Sequence, residues 1–208
     1  DTRVGQFLVP AGLPGTRIEE TWDHLGLRAS GSHTVVFDDV VFPLDYEIDV
    51  RKPDDWKVPD VTQATVHAIF VAAIYDGIAR AARDWLVKFL KERVPANLGA
   101  PLATLPRMQE VAGGIEARLA VNARLIDSFA SDFDNGFPLS AIESNIIKLT
   151  VTNNAAAVVE DALSLTSNHG LSRTNPLERH YRDVLCGRVH TPQDDSTRVS
   201  AGRFALGV

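Results

Sequence analysis

Hydrophobic positions change their period once along this chain, near residue 60. Before that point they come in short runs. Val4 to Val9 is an apolar stretch closed by Pro10, and Arg17 to Trp22 alternates loosely. Thr34–Phe37 and Val40–Phe42 are β-branched and aromatic runs, split by Asp38-Asp39 and ended by Pro43. Such residues fit a pleated, half-buried surface, so the segment predicts about four short strands with no helix between them. Gly12-Leu13-Pro14-Gly15 has the chemistry of a hairpin turn, and Ser30-Gly31-Ser32 that of a turn or bulge. Four strands are too few to close a sandwich or barrel, so the β region, residues 1–43, reads as incomplete. Residues 44–60, with Pro53, Pro59 and a run of acids, read as a linker that Trp56 pins to a neighbouring surface.

From Val61 onward the spacing is helical. Val66, Phe70, Ala73, Gly77, Ala81, Trp85 and Phe89 recur every three or four residues and predict a helix ending near Pro95. Pro106 opens a second helix with the stripe Val111, Ile115, Leu119, Asn122, Ile126 and Phe129, broken at Gly136 and Pro138. Ser140, with Glu143 three residues on, is a capping-box start for a third. Its stripe runs through Ile146, Leu149, Asn153, Ala157 and Val158 to about Thr166, with His169-Gly170 as its stop. Asn175-Pro176 opens a short helix through Cys186, and Ser196–Phe204 suits a last one. Three long helices joined by short loops predict an antiparallel, four-helix-type bundle over residues 61–208. The fold class is therefore mainly α, preceded by part of an antiparallel β domain.

Charge supports the division. Residues 1–60 hold 6 Lys and Arg against 12 Asp and Glu, and residues 61–208 hold 15 against 15, so the net charge of -6 sits in the first part. An acidic balance argues against a nucleic-acid partner. No uninterrupted apolar run reaches the ~18 residues of a membrane span, and Asp1–Pro10 has no signal-peptide pattern. The single cysteine, Cys186, excludes an internal disulfide and suits a reducing, cytoplasmic compartment.

The chemical motifs are sparse. None of the six histidines (His24, His33, His67, His169, His180, His190) sits in metal-ligand spacing, so no metal site is expected. No nucleophile elbow supports a serine triad, and no Lys-Ser/Thr follows Gly15 to make a phosphate loop. The dense segment is Asn168 to Asp195. Arg173, Arg179, Arg182 and Arg188 stand there among Glu178, Asp183, His169-Gly170 and His190. Arginines beside a glycine at a helix end suit a phosphorylated cofactor; arginines paired with acids at helix ends are the plainer reading.

Three motifs in order resemble the acyl-CoA dehydrogenase superfamily. Trp22 to Pro43, with Gly26-Leu27-Arg28-Ala29-Ser30 and Phe37-Asp38-Asp39-Val40-Val41-Phe42-Pro43, is similar to the end of its middle β domain. Gly77-Ile78-Ala79-Arg80-Ala81-Ala82 resembles its first long bundle helix, and Leu177-Glu178-Arg179-His180-Tyr181-Arg182-Asp183 its late helix. The resemblance implies the second part of the β domain plus the C-terminal bundle of a longer flavoenzyme. It implies a flavin, FMN or FAD, a small-molecule substrate, and a homotetramer built as a dimer of dimers.

Two chemistries share that family. Its dehydrogenases need a carboxylate base. One family position for the base corresponds to Val189, before His190-Thr191-Pro192-Gln193; the other lies near His67, and no acid occurs between Thr62 and Tyr75. The resemblance is therefore nearer the monooxygenase branch, typified by dibenzothiophene monooxygenase, the large component of hydroxyphenylacetate hydroxylase and the amino-sugar oxidases. That branch receives reduced flavin from a separate reductase. His190 is implied as its proton-handling group beside the flavin, with His67 facing substrate or simply hydrogen-bonded inside the bundle. Arg28, Ser30, Arg93, His169, Gly170, Arg179, Arg182, Thr191 and Gln193 are the implied flavin contacts, Arg93 across a subunit interface. The alternatives are an acyl-CoA dehydrogenase and a helical oligomerisation module without activity of its own.

Overall fold

The computed structural model describes residues 1–57, 60–138 and 140–208. It divides into two compact units, Asp1–Asp60 and Val61–Val208.

The first unit holds four strands in two separate antiparallel pairs. β1 (Val4–Phe7) pairs with β4 (Glu47–Arg51), and β2 (Thr16–Glu19) with β3 (Thr34–Phe37). Two sequence expectations are corrected here. The fourth strand is not Val40–Phe42 but Glu47–Arg51, inside the expected linker. Alternation of Ile48 and Val50 with charged residues made that strand look like linker, and its partner lies more than forty residues away. Trp56 does pin the segment: its indole N–H donates to the Val4 carbonyl at 3.0 Å, and the Arg51 guanidinium sits over its ring. Pro59 of the expected linker lies outside the described residues. The Leu13–Thr16 turn, closed by Thr16 N–H to Leu13 O at 2.9 Å with Gly15 at φ 89°, leads into β2 rather than joining a hairpin.

The second unit carries α1 (Val61–Glu92), α2 (Pro106–Asp134) and α3 (Ala141–Ser164), then α4 (Asn168–Leu171), α5 (Leu177–Val184) and α6 (Asp194–Leu206). Pro106 takes the first turn of α2, where its missing N–H costs nothing. Ser140 caps α3, its hydroxyl accepting from the Glu143 N–H at 3.2 Å. All described buried apolar side chains belong to this unit. Leu86, Ile115, Val151 and Val159 are fully buried, each contributing about 1.5–3 kcal/mol of apolar burial.

The helices are where the spacing placed them, but two faces are not. α2 buries Ile115, Leu119, Asn122 and Phe129 as expected. α1 instead buries Ala68, Ala72, Tyr75, Ala79, Ala82, Leu86 and Leu90, leaving Phe70 66% exposed. α3 buries Ile147, Lys148, Val151, Ala155, Val158 and Ala162, leaving Ile146 and Asn153 outside. The reason is size. Alanines let the α1 and α3 backbones approach closely, so the small-residue faces meet and the larger side chains point away. α1 is long and apolar enough to cross a bilayer by length and composition; in this bundle its buried face packs on α3 and α2.

A buried polar network fixes the register of the three long helices. Asp76 on α1 accepts from Arg80 at 2.6 Å and from the Asn122 amide of α2 at 2.9 Å. Asn154 of α3 donates to the Asn122 side-chain oxygen at 2.9 Å. Arg118 of α2 adds an ion pair to Asp161 of α3 at 2.7 Å.

Candidate functional site

Beside that network, at the neighbouring residue Tyr75 of α1, the middle of the bundle turns chemical. α5 runs into a 3-10 turn, Leu185–Arg188, which leaves His190 half-buried against α1. Gly187 makes this approach possible: a Cβ there would lie 3.3 Å from both Tyr75 and Thr152, tighter than an ordinary contact. His190 Nδ1 lies 3.1 Å from the Tyr75 hydroxyl, and its ring stands edge-on to Tyr75 and to His67, with centroids 5.9 and 6.4 Å apart.

The electrostatics assign the proton. Tyr75 is wholly buried, and burial holds its hydroxyl protonated, with Cys186 and Asp183 adding to the effect. That hydroxyl shares its hydrogen bond with His190 Nδ1, which fixes the ring by that nitrogen. Burial pushes His190 below its ordinary value, as do the nearby Lys148 and His67, so the ring is neutral at pH 7. His190 is then a neutral imidazole with Nδ1 engaged inside the bundle, and among the described residues its Nε2 makes no hydrogen bond. The next residues continue the donor set. Thr191 and Gln193 are exposed, and among the described residues neither side chain makes a hydrogen bond.

Behind His190 sits a side chain that sequence reasoning missed. Lys148 of α3 is fully buried and donates to the Gly187 and His190 carbonyls, both at 2.8 Å. Its ammonium lies 3.7 Å from Asp194 Oδ1, and Asp194 Oδ2 accepts from Asn153 at 2.8 Å. A lysine in the middle of an apolar helix, Ile147-Lys148-Leu149, was the available signal. Tyr75 was missed for the opposite reason: an aromatic in an alanine-rich helix looks like core.

The other candidates lie elsewhere. His169 packs on Phe89, ring centroids 5.3 Å apart, and Phe89 stacks on Trp85. Tyr75 and Phe89 are fourteen residues apart on α1, so His169 and His190 are separated by about 20 Å along the helix. Gly170 is not a left-handed helix stop. It lies inside α4, and its missing side chain makes room for Thr166, Leu163 and Leu177. Asn175 does not cap α5 but donates to the His169 carbonyl at 2.6 Å. Arg182 is held by Glu178 through two bonds of 2.9 and 3.1 Å, which keeps the Glu178 carboxyl below its ordinary value. Arg179 is exposed on the same helix, and Arg93 is exposed just beyond α1, about 38 Å of helix from His67. In the first unit, Arg28 is exposed and Ser30 spends its hydroxyl on the Leu27 carbonyl at 2.8 Å, closing its own turn. Among the described residues no three His, Cys, Asp or Glu side chains converge as a metal site would need.

A family model, Acyl-CoA dehydrogenase, C-terminal domain, matches residues 60–194, well over half of the chain. The chain belongs to the acyl-CoA dehydrogenase family. It is 34% identical over 201 residues to the putative acyl-CoA dehydrogenase YdbM of Bacillus subtilis, covering 93% of this chain and 50% of that protein. It is 35% identical to an L-evernosamine nitrososynthase of a Micromonospora species (89% and 45%) and 31% identical to the indole-3-acetate monooxygenase of Pseudomonas putida (92% and 51%). In fold it is similar to butyryl-CoA dehydrogenase of Megasphaera elsdenii, with a TM-score of 0.81 at 24% identity, covering 96% of this chain and 51% of that one. The chain thus spans about half the length of the relatives it matches. Within the acyl-CoA dehydrogenase family match lie α1, α2, α3 and the His190 turn, the elements that build the site.

Proposed function

We propose that this chain is the C-terminal part of a flavin-dependent monooxygenase that takes reduced FMN or FAD from a separate reductase and oxygenates a small organic substrate. The carrying observation is the His190 turn. A neutral imidazole engaged at Nδ1 by Tyr75 and bordered by His67 forms the chemical centre of the bundle, while Val189 and His67, the positions at which the resemblance implies a dehydrogenase base, carry no carboxylate. The nearest acid on α1, Asp76, is buried and committed to Arg80 and Asn122, so it cannot serve as a base. The names of two relatives, a nitrososynthase and a monooxygenase, describe oxygen transfer and agree with this reading.

The donor set fits a flavin. The ring's hydrogen-bonding edge suits Nε2–H of His190, the Thr191 hydroxyl and the Gln193 amide, and a phosphate suits an exposed arginine such as Arg93. Reduced flavin, when bound, supplies the two electrons with which one oxygen atom goes to substrate and the other leaves as water. The chain's own residues would orient and protonate. His190 donates at Nε2, Tyr75 holds the ring in that tautomer, and His67 borders the same space. Arg93 lies too far along α1 to share a flavin with His190 of its own chain, so copies would have to assemble. The exposed Phe70 and Ile74 of α1 offer apolar surface for that. A cytoplasmic setting suits a chain with a single cysteine, Cys186.

The acyl-CoA dehydrogenase reading is favoured by the Bacillus relative. One experiment separates the two. The full-length protein should purify nearly colourless and consume oxygen only when reduced FMN or FAD is supplied. Bleaching of a tightly bound flavin by an acyl-CoA under anaerobic conditions would overturn the monooxygenase.

A further inference from the structure

We propose that Lys148 is a positioning residue for His190, clamping the Leu185–His190 turn to α3 so that the imidazole stays on Tyr75. The inference rests on the reading of His190 as the proton donor. Lys148 is fully buried, yet its two short bonds go to main-chain carbonyls, those of Gly187 and His190. Nothing in helix stability asks for this. A buried ammonium costs several kcal/mol of desolvation, and an apolar side chain of the same length would pack there without that cost.

Geometry gives the clamp its purpose. The two carbonyls are three residues apart, at the end of a short 3-10 turn where backbone acceptors are otherwise unpaired. Holding both fixes the orientation of the turn as well as its position. His190 then reaches Tyr75 across the gap that Gly187 leaves open. Asp194, on the first turn of α6, lies on the far side of the ammonium and is itself held by Asn153, so the clamp ties α3, the turn and α6 together.

Among the described residues, groups from three helices bear on the imidazole. Tyr75 and His67 face it from α1, Lys148 from α3, Asp194 from behind the lysine on α6, and Asp183 and Cys186 act through Tyr75. Lys148 is the cation of the set, and removing it should release His190 both mechanically and electrostatically.

The test is histidine-selective NMR titration of the full-length protein, with the His190 signal assigned by its loss in His190→Gln. In Lys148→Met the His190 pKa should rise by about one unit, and the Nε2–H tautomer signature should fade as contact with Tyr75 loosens. A folded Lys148→Met protein whose His190 titration and tautomer match wild type overturns the proposal. If Lys148→Met does not fold, Asp194→Asn decides. Removing the carboxylate that offsets the lysine should lower the His190 pKa by a few tenths of a unit, and no movement overturns the proposal. These readouts need no flavin. Failure of the wild type to consume oxygen would sink the monooxygenase and leave the clamp standing; an unmoved His190 signal would do the reverse.

Discussion

Tyr75 and Asp76 are neighbours on α1, and each leads into a buried polar cluster. The two clusters differ in one respect. Around Asp76, both carboxylate oxygens are taken and the Asn122 amide is shared between helices, so the cluster is closed within the bundle. Around Tyr75, the hydroxyl holds one nitrogen of His190, and among the described residues the other makes no hydrogen bond, with exposed Thr191 and Gln193 next in the chain. Buried polarity that is fully paired sets helix register. Buried polarity that ends on such a nitrogen is equipped to meet something else.

Breaking the closed cluster should have the largest effect on the fold. Asp76→Ala leaves Asn122 without its acceptor and Arg80 without its counter-ion, and should lower unfolding free energy by about 3 kcal/mol in urea titrations. Opening the other cluster should do the opposite. His190→Ala should cut oxygen-dependent turnover by about 100-fold while stability moves by less than about 1 kcal/mol; a variant that unfolds but keeps its turnover per folded molecule would erase the distinction. Tyr75→Phe should cost about 1 kcal/mol and raise the His190 pKa, because the donor that favours the neutral ring is gone; NMR titration reads the shift. The smallest effect is in pH. Burial lowers both His180 and His190 below 6.5. The native state therefore binds fewer protons than the unfolded chain just below that value. Their contribution to stability is complete above pH 6.5 and is lost as the pH falls through their native values, and His190→Gln should flatten part of that slope in denaturation series.

The helices were legible because period and punctuation agreed at most ends: Pro106 and Ser140 open α2 and α3 and the Gly136 break follows α2, whereas Gly170 lies inside α4. Faces were less so. A stripe of large apolar residues on α1 outweighed the alanines beside it, although the alanines are what α3 packs on. β4 was hidden because its partner is distant and its acids resemble a linker. The site divided the same way. His190 was visible through the family motif around it, whereas Lys148 and Tyr75 act only through contacts that the fold creates. Sequence left two readings of the arginines of Asn168–Asp195 open, a phosphorylated cofactor or pairing with acids; Glu178 occupies Arg182, as the plainer reading has it, and the segment is spread over about 20 Å of bundle.

α3 packs on both α1 and α2, and that has a consequence during synthesis. It leaves the ribosome after both helices it covers, 72 residues behind the end of α1. At ordinary elongation rates, α1 waits roughly 4–14 s and α2 roughly 1.5–6 s for α3 to cover them. The face of α1 that meets α3 is therefore the last to be covered, and slow elongation between α2 and α3 would lengthen its exposure.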